Sequence, residues 1–205
     1  MLDVGANVGL MALLLADKVQ HAVLFEPNPA AAARARQNLA LNRLTFEVYE
    51  FAVSDRGGDV EFEDQGGVST CNRTVAGFST SFPTRRAPCL PVDEFLSQHP
   101  LAHSVTAVKI DVEGHENHVI RGMMHCLRRH RPRLVMFEYL RRTNLAETIA
   151  LFDAAGYTVL QATPEGASVA TREVAPLQNL FACPNECLQE FVPQLPSELC
   201  AVPAG

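Results

Sequence analysis

The chain has 205 residues, of which 47% are hydrophobic and 20% charged, and its formal net charge is -6. This length and composition suit one globular domain and require no second one. The longest uninterrupted apolar run, Leu10 to Ala16, is much shorter than the roughly 20 residues that span a bilayer, and the acidic balance argues against general affinity for nucleic acid.

The first sixteen residues predict a ligand-binding corner. Leu2 and Val4 are typical of the end of a buried strand, Gly5 to Gly9 of a tight turn, and Leu10 to Ala16 of a helix packed on a sheet. Glycines let the backbone approach a ligand, and the free N–H groups of a helix start offer donors. The spacing G-x-x-x-G does not meet the G-x-G-x-x-G pattern of dinucleotide binders, so a pyrophosphate is not the favoured ligand.

A second signal follows at the end of the next predicted strand. His21 to Phe25 is apolar, and Glu26 stands at its carboxyl end, where an acidic side chain can accept both hydroxyls of a ribose. Asn28 with Pro29 predicts an N-cap and a first helical position, and Ala30 to Leu41 continues with strong helix formers. The sequence therefore indicates a ligand that carries a ribose.

The middle of the chain predicts a third strand and a long connection. Thr45 to Val53 is rich in β-branched and aromatic residues, which completes a β-α-β-α-β pattern typical of a parallel sheet. Turn residues 56–59 and a half-exposed strand with Val60 and Phe62 predict a hairpin beside that sheet. Gly66 to Pro88 is either a functional loop that folds over the bound ligand, whose arginines at 73, 85 and 86 contact an anionic or sugar-like molecule, or simple disorder.

The second half continues the alternation of strands and helices. Val105 to Ile110 predicts a fourth strand, which delivers Asp111, Glu113 and His115 to the same sheet edge as the glycine turn. The following elements are a helix with Val119, Met123 and Leu127 on its buried face, a strand over 133–139 with Glu138 near its end, a helix capped by Asn144 that stops at Gly156, and strands over 157–161 and 179–183.

One basic cluster interrupts the acidic background. Because cations at a helix C-terminus complement its dipole, we interpret the cluster as a solvated helix end and not as a nucleic-acid surface. It comprises His125, Arg128, Arg129, His130, Arg131 and Arg133.

Two patterns suggest a metal, and both fall short of a site. His115 and His118 form H-E-x-H, one residue short of the H-E-x-x-H motif of zinc hydrolases, and Cys183 and Cys187 form C-x-x-x-C without a second pair. The sequence therefore indicates no metal. Cys126 and Cys183 fit small core residues of a reducing compartment.

The chain opens almost inside its first motif. Only four residues precede Gly5, so we expect a truncated first strand and a missing upstream segment, which could also have carried targeting information. Met1 is followed by no basic region or cleavage site of a signal peptide, and the expected location is cytoplasmic.

Five motifs in order carry a resemblance to a known family. They read D-V-G-A-N-V-G at 3–9, F-E-P-N-P at 25–29, A-V-S-D at 52–55, V-D-E-F-L at 92–96 and K-I-D-V-E-G-H-E at 109–116. They resemble the S-adenosylmethionine-dependent methyltransferases of the Rossmann-like class and, within them, the FkbM-type enzymes. The resemblance covers residues 1–183, which we expect to form the methyltransferase domain, and leaves 184–205 as a loosely structured tail.

The resemblance implies an α/β fold, namely a Rossmann-like, doubly wound, mostly parallel sheet of seven strands whose last strand is antiparallel. It implies S-adenosyl-L-methionine as the cofactor and places Ser54 and Asp55 near its adenine and Asp111 beside its methionine end. The residues expected to bind the cofactor are Asp3, Gly5, Ala6, Asn7, Gly9, Glu26, Pro27, Asn28, Ser54 and Asp55.

The expected catalytic residues are Asp111, Glu113 and His115. The usual pKa of histidine suits His115 to act as a base near neutral pH, although it is equally compatible with a surface position in the first helical turn. Glu113 is compatible with two roles, a site carboxylate and a helix cap. Because the fourth-strand motif reads neither N-P-P-Y nor D-P-P-Y, the resemblance favours an oxygen acceptor on a small molecule, sugar or lipid-linked sugar over a nucleobase. The alternative is an inactive methyltransferase-like binding or scaffold module.

Overall fold

A computed structural model of the chain describes residues 1–64, 66, 81–100, 105–164, 166–171 and 173–192. The strands are β1 Leu2–Val4, β2 Val23–Phe25, β3 Glu47–Tyr49, β4 Ala52–Val53, β5 Gly58–Glu63, β6 Thr84–Leu90, β7 Ala107–Ile110, β8 Leu134–Tyr139, β9 Tyr157–Thr163, β10 Gly166–Val169 and β11 Gln178–Pro184. The helices are α1 Leu10–Leu14, α2 Pro29–Leu41, α3 Val92–Ser97, α4 Glu116–Arg121, α5 Met124–Arg129, α6 Leu145–Ala154 and α7 Leu188–Phe191.

The main sheet has the strand order β10-β9-β11-β8-β7-β1-β2-β3. Strands β3, β2, β1, β7 and β8 are mutually parallel, and β11 runs antiparallel between β8 and β9. This order confirms the Rossmann-like fold and its antiparallel last strand. Within the described residues the sheet also contains β10, which pairs with β9 and adds an eighth strand to the seven expected.

Both faces of this sheet are covered, as in a doubly wound fold. One buried cluster packs Leu2 and Val4 of β1 with apolar residues of α3 to α6, and the other packs Leu24 of β2 with Ala12 of α1 and Ala35 of α2. β1 lies at the centre, where all three of its residues pair with β2 on one side and β7 on the other.

The segment 45–53 is not one strand, as the sequence predicted, but contributes to two sheets. β3 is an edge strand of the main sheet, whereas β4 belongs to a second sheet with the strand order β4-β6-β5. The half-exposed strand β5 is present, and its antiparallel partner is β6. Residues 84–88 of the predicted long loop therefore belong to a strand, while 67–80 lie outside the described residues.

The helix predicted after the fourth strand is broken into α4 and α5. Asp93 of α3 accepts hydrogen bonds from the backbone N–H groups of His125 (2.8 Å) and Cys126 (2.8 Å), and thereby caps a new helix start. Val119, Met123 and Leu127 are all fully buried, so the predicted apolar face is confirmed although the helix is interrupted.

The segment after Pro184 differs from the loose tail expected from the sequence. Asn185–Cys187 form a 3-10 helix and α7 follows directly, with Leu188 and Val192 buried against Leu160 and Cys183. Arg131 and Arg133 of the basic cluster pair with Glu186 and Glu190 of this segment. Residues 193–205 lie outside the described part of the chain.

None of the helices among the described residues is both long and apolar enough to cross a bilayer.

Candidate active site

A cavity of about 420 Å³ opens at the carboxyl ends of β1, β2, β7 and β8. In doubly wound sheets, ligands bind at this edge, next to the point where the strand order reverses, which here is between β1 and β7. The lining residues are Val4, Gly5, Ala6, Asn7, Val8, Leu10, Met11, Phe25, Glu26, Pro27, Ala52, Val53, Val60, Phe62, Lys109, Asp111, Val112, Glu113, His115, Met136, Glu138 and Asn179.

The glycine turn forms one side of this cavity. Gly5 has φ 73°, in the left-handed region that favours glycine, and its N–H and that of Ala6 both donate to the carbonyl of Phe25 at 3.0 Å. A Cβ at Gly5 would overlap the carbonyl oxygen of Asp111. Glycine is therefore required here because the turns after β1 and β7 touch, and not only because a ligand must approach.

Glu26 braces this turn as well as lining the cavity. Its Oε2 accepts from the N–H of Asn7 (2.8 Å) and its Oε1 from the N–H of Asn28 (2.8 Å). Burial raises the pKa of Glu26, and the two backbone hydrogen bonds oppose that rise. Because each carboxylate oxygen has a second lone pair, the side chain can still accept the hydroxyls of a ribose.

Asn28 and Asn7 take different positions. The Asn28 side chain accepts from the N–H of Ala30 (2.9 Å) and caps α2, so it does not line the cavity. Asn7 lines it, and its Oδ1 is buried with no hydrogen-bond partner in the described part of the chain. A buried acceptor left open at a cavity wall fits a polar ligand, because such groups are normally satisfied.

A buried lysine joins the turn after β1 to the turn after β7. Lys109 is 6% exposed, and its Nζ donates to the carbonyl of Gly5 at 2.6 Å. The same ammonium lies 3.3 Å from Asp3 Oδ1 and 3.4 Å from Asp111 Oδ2. Asp3 is fully buried behind the cavity, where burial raises its pKa and Lys109 opposes the rise.

Three carboxylates converge at the far end of the cavity. Oxygen atoms of Asp111, Glu113 and Glu138 lie within 4.8 Å of one another, a spacing at which their charges repel and which a cation could bridge. Burial raises the pKa of Glu138 to about 7, helped by the charges of Asp111 and Glu113. Burial and the charge of Asp111 likewise raise the pKa of Glu113.

The backbone that carries Asp111 and Glu113 is held by Glu116. Its fully buried side chain accepts from the N–H of Gly114 (2.9 Å) and of Val112 (3.3 Å). Glu113 itself faces Arg142, whose guanidinium lies 3.3 Å from Glu113 Oε2 and also donates to the Glu113 carbonyl. The N-cap residue of α4 is His115, and no side chain caps this helix by a hydrogen bond, so the capping role considered for Glu113 is not observed.

His115 lies between the main cavity and a second one of about 240 Å³. Its Nε2 is 2.9 Å from Ser54 Oγ, and its ring stacks on His118 at 4.3 Å. Burial, with the neighbouring His118, lowers the pKa of His115 to about 4. The expectation of a base poised near neutral pH is therefore not met by this residue.

Ser54 and Asp55, expected near adenine, line the second cavity and not the main one. Asp55 Oδ2 lies 3.2 Å from His118 Nδ1. The main cavity instead has an apolar part to its lining, to which β4 and β5 contribute Val53, Val60 and Phe62 and α1 contributes Leu10 and Met11. A flat, weakly polar ring such as adenine suits such a lining.

The structure brings together eight of the thirteen predicted site residues. Those that line the main cavity are Gly5, Ala6, Asn7, Glu26, Pro27, Asp111, Glu113 and His115; those that do not are Asp3, Gly9, Asn28, Ser54 and Asp55. The sequence placed Glu138 near the end of its predicted strand, among the titratable groups expected around the cleft, without assigning it a role, and it missed Lys109 and Asn179 as lining residues. The available signal was strand direction: Glu138 lies near the end of a parallel strand, and Asn179 near the start of an antiparallel one at the same edge.

The Methyltransferase FkbM domain model matches residues 3–159, which is most of the chain. The chain belongs to this family. One curated relative is the 2-O-methyltransferase NoeI of Sinorhizobium fredii, which is 32% identical over 59% of this chain and 56% of the relative. Another is the hexuronic acid methyltransferase AglP of Haloferax volcanii, which is 28% identical over 61% of this chain and 50% of the relative. The FkbM chain thus spans about half the length of these relatives.

Among solved structures, the FkbM methyltransferase from Methylobacillus flagellatus matches this FkbM chain with a TM-score of 0.58 at 16% identity. The match covers 89% of this chain and 42% of that one. At this identity the likeness supports the fold alone.

Proposed function

We propose that this FkbM protein transfers a methyl group from S-adenosyl-L-methionine to a hydroxyl of a sugar or sugar-containing small molecule. The observation that carries the proposal is the cavity at the point where the strand order reverses. The glycine turn, the carboxylate cluster and Glu26, which can accept the hydroxyls of a ribose, all line this cavity. One relative is named a 2-O-methyltransferase, which supports an oxygen acceptor, and the other a hexuronic acid methyltransferase, which supports a sugar.

The donor side is assigned to the glycine turn and the end of β2. Glu26 would hold the ribose hydroxyls, and the open Oδ1 of Asn7 would accept a hydrogen bond from the donor's polar groups. Gly5, Ala6 and Pro27 would form the surface beneath, while Asp3, Gly9 and Asn28, which do not line the cavity, would support the turns that carry it. Ser54 is assigned to the edge of the adenine region through its contact with His115, and Asp55 through its contact with the stacked His118.

The acceptor side is assigned to the carboxylate cluster. When bound, the sulfonium donor supplies an electrophilic methyl group for an in-line displacement. The protein must hold the acceptor oxygen about 3 Å from that carbon and relieve the hydroxyl of its proton. Asp111 and Glu113 would accept hydrogen bonds from the acceptor hydroxyls, and neutral His115 would form the adjoining wall.

The rival function is a binding or scaffold module that keeps the fold without catalysis. Both functions allow donor binding, so two measurements are needed. We expect S-adenosylmethionine and S-adenosylhomocysteine to raise the melting temperature, because a ligand of the folded state stabilises it by mass action. Incubation with labelled donor and methyl glycosides of neutral hexoses and of hexuronic acids, analysed by mass spectrometry, should give a methylated sugar.

The outcomes separate the two functions. A melting temperature that rises with donor, without methyl transfer to any glycoside, would favour the scaffold module. A melting temperature that neither compound changes would contradict the assignment of the cavity to this donor. Glu173, which is exposed and does not line the cavity, provides a control as Glu173→Gln, which should behave like the wild type in both measurements.

A further inference from the structure

Glu138 lies at the edge of the main sheet where the cavity opens. It lies one residue before the end of β8, on the same strand face as Met136, and both line the cavity. Val135 and Phe137 point the other way and are fully buried. The residue opposite Glu138 in the antiparallel neighbour is Asn179, which also lines the cavity. Three strands therefore deliver polar side chains to one point: β7 through Asp111, β8 through Glu138 and β11 through Asn179.

The Glu138 carboxyl group is less engaged than its acidic neighbours. Its Oε2 is buried and accepts no hydrogen bond from any described residue. Asp111, by contrast, lies at ion-pair distance from Lys109, and Glu113 lies at ion-pair distance from Arg142. A buried, unpaired oxygen on a side chain that lines a cavity calls for an explanation, because leaving it unpaired costs free energy, and a ligand in the cavity would supply one.

We propose that Glu138 is the general base of the reaction and removes the proton of the acceptor hydroxyl during methyl transfer. This inference rests on the proposed function. In the step, the acceptor oxygen bonds to the methyl carbon as the carbon–sulfur bond breaks. The electron pair of that bond stays on sulfur, which becomes a neutral thioether, and the hydroxyl proton passes to the Glu138 carboxylate.

The electrostatic surroundings agree with this role. Burial makes the largest contribution to the rise in the pKa of Glu138 to about 7, and the negative charges of Asp111, Glu113 and Glu116 add to it. The positive charge of Arg142 opposes this rise. A base is most effective when its pKa lies near the working pH, since it must be ionised and still hold the proton it receives. The pKa of His115, lowered to about 4 and with Nε2 close to Ser54, makes it the weaker base.

The test compares wild type, Glu138→Gln, Asp111→Asn and the exposed control Glu173→Gln. Donor affinity is measured by calorimetry with S-adenosylhomocysteine, and methyl transfer to the glycoside panel is measured from pH 5 to pH 9. We expect wild-type transfer to rise with pH through an inflection near 7. Glu138→Gln should lose transfer by roughly 10²- to 10⁴-fold with donor affinity within about twofold of the wild type.

A second readout does not need an acceptor. Carbon-13 NMR of labelled glutamate carboxyl groups should show one resonance that titrates near pH 7 and is absent from Glu138→Gln. If every glutamate of the wild-type protein titrated with its ordinary pKa, the proposal would be overturned, even if no acceptor had been found.

Two kinetic outcomes would also overturn the proposal. One is a Glu138→Gln enzyme that keeps the wild-type rate and its inflection near pH 7. The other is wild-type transfer that is abolished by EDTA and restored by Mg²⁺, because the carboxylate cluster would then act by holding a cation. Absence of donor binding by the wild type would instead count against the proposed function itself.

Discussion

At the scale of single residues, Lys109 connects more of the site than any motif glycine does. Its buried ammonium reaches the carbonyl of Gly5, the carboxylate of Asp3 and that of Asp111, on the ends of two adjacent strands. A buried charge is tolerated only when it is paired, because desolvation of an isolated ion is costly. Lys109 and Asp3 therefore depend on each other, and together they fix the turn that faces the donor.

We predict that Lys109→Met destabilises the fold by roughly 3–5 kcal/mol, because it leaves the fully buried Asp3 without its cation. Adding Asp3→Asn to this variant should recover part of the loss, since the uncompensated charge is then removed. Urea denaturation measures both effects. Lys18→Met is the matched control, because Lys18 and its partner Asp17 are 73% and 70% exposed and their pair contributes little. Equal effects of the two lysine variants would contradict the prediction.

Glu26 is predicted to hold the ribose of the donor while it also braces the glycine turn. Glu26→Gln should weaken S-adenosylhomocysteine binding by roughly ten- to a hundredfold, because charge-assisted hydrogen bonds worth about 1.5–3 kcal/mol are lost. Isothermal calorimetry gives the affinity, and circular dichroism checks the fold. Glu50→Gln serves as the control, since Glu50 pairs with Arg36 on the surface. Unaltered affinity in a folded Glu26→Gln protein would remove the ribose assignment.

At the scale of elements, the site depends on contact between turns that follow different strands. The turn after β1 lies against the turn after β7 at Gly5, where no Cβ can be accommodated beside the Asp111 carbonyl. The second sheet then covers the apolar side, because β5 brings Val60 and Phe62 over the cavity. The helices contribute less to the lining than these turns and strands do.

We predict that Gly5→Ala lowers stability and donor affinity together, because the new Cβ forces the β1 and β7 turns apart and also strains a positive φ. Thermal unfolding and calorimetry with S-adenosylhomocysteine measure the two effects. Gly57→Ala is a suitable control, since its Cβ would meet its nearest atoms at ordinary contact distances of 3.8 Å or more. A Gly5→Ala protein as stable as Gly57→Ala would show that the turns can separate without cost.

At the scale of the whole molecule, the carboxylate cluster links stability to pH. The folded-state pKa of Glu138, about 7, lies above the ordinary value of 4.5. Folding therefore favours the protonated form, so its contribution to stability is complete below pH 4.5 and is lost as pH rises through 7. The ionised cluster opposes folding at alkaline pH.

We accordingly predict that Glu138→Gln raises the melting temperature relative to wild type at pH 8 and leaves the difference small at pH 5. Differential scanning calorimetry at the two pH values measures it. Glu173→Gln should show no comparable pH-dependent difference, because Glu173 is exposed. A gain that is equal at both pH values would mean that the substitution acts through packing and not through the charge of Glu138.

The sequence by itself determined most of the fold. Local signals suffice for the glycine turn, the Asn28 and Asn144 caps and the alternation of strands with helices, because each depends on neighbouring residues. It also indicated Glu26, Asp111 and Glu113 as cavity residues, since strand ends of a parallel sheet meet at one edge.

Only the tertiary structure decided the remaining features. The split of segment 45–53 depends on β6, a partner more than thirty residues away, and the break before α5 depends on capping by Asp93 of α3. The low pKa of His115 and the high pKa of Glu138 likewise come from burial and from charges that distant segments bring close. Protonation energies follow distance in space and loss of solvent, neither of which is encoded in local spacing along the chain.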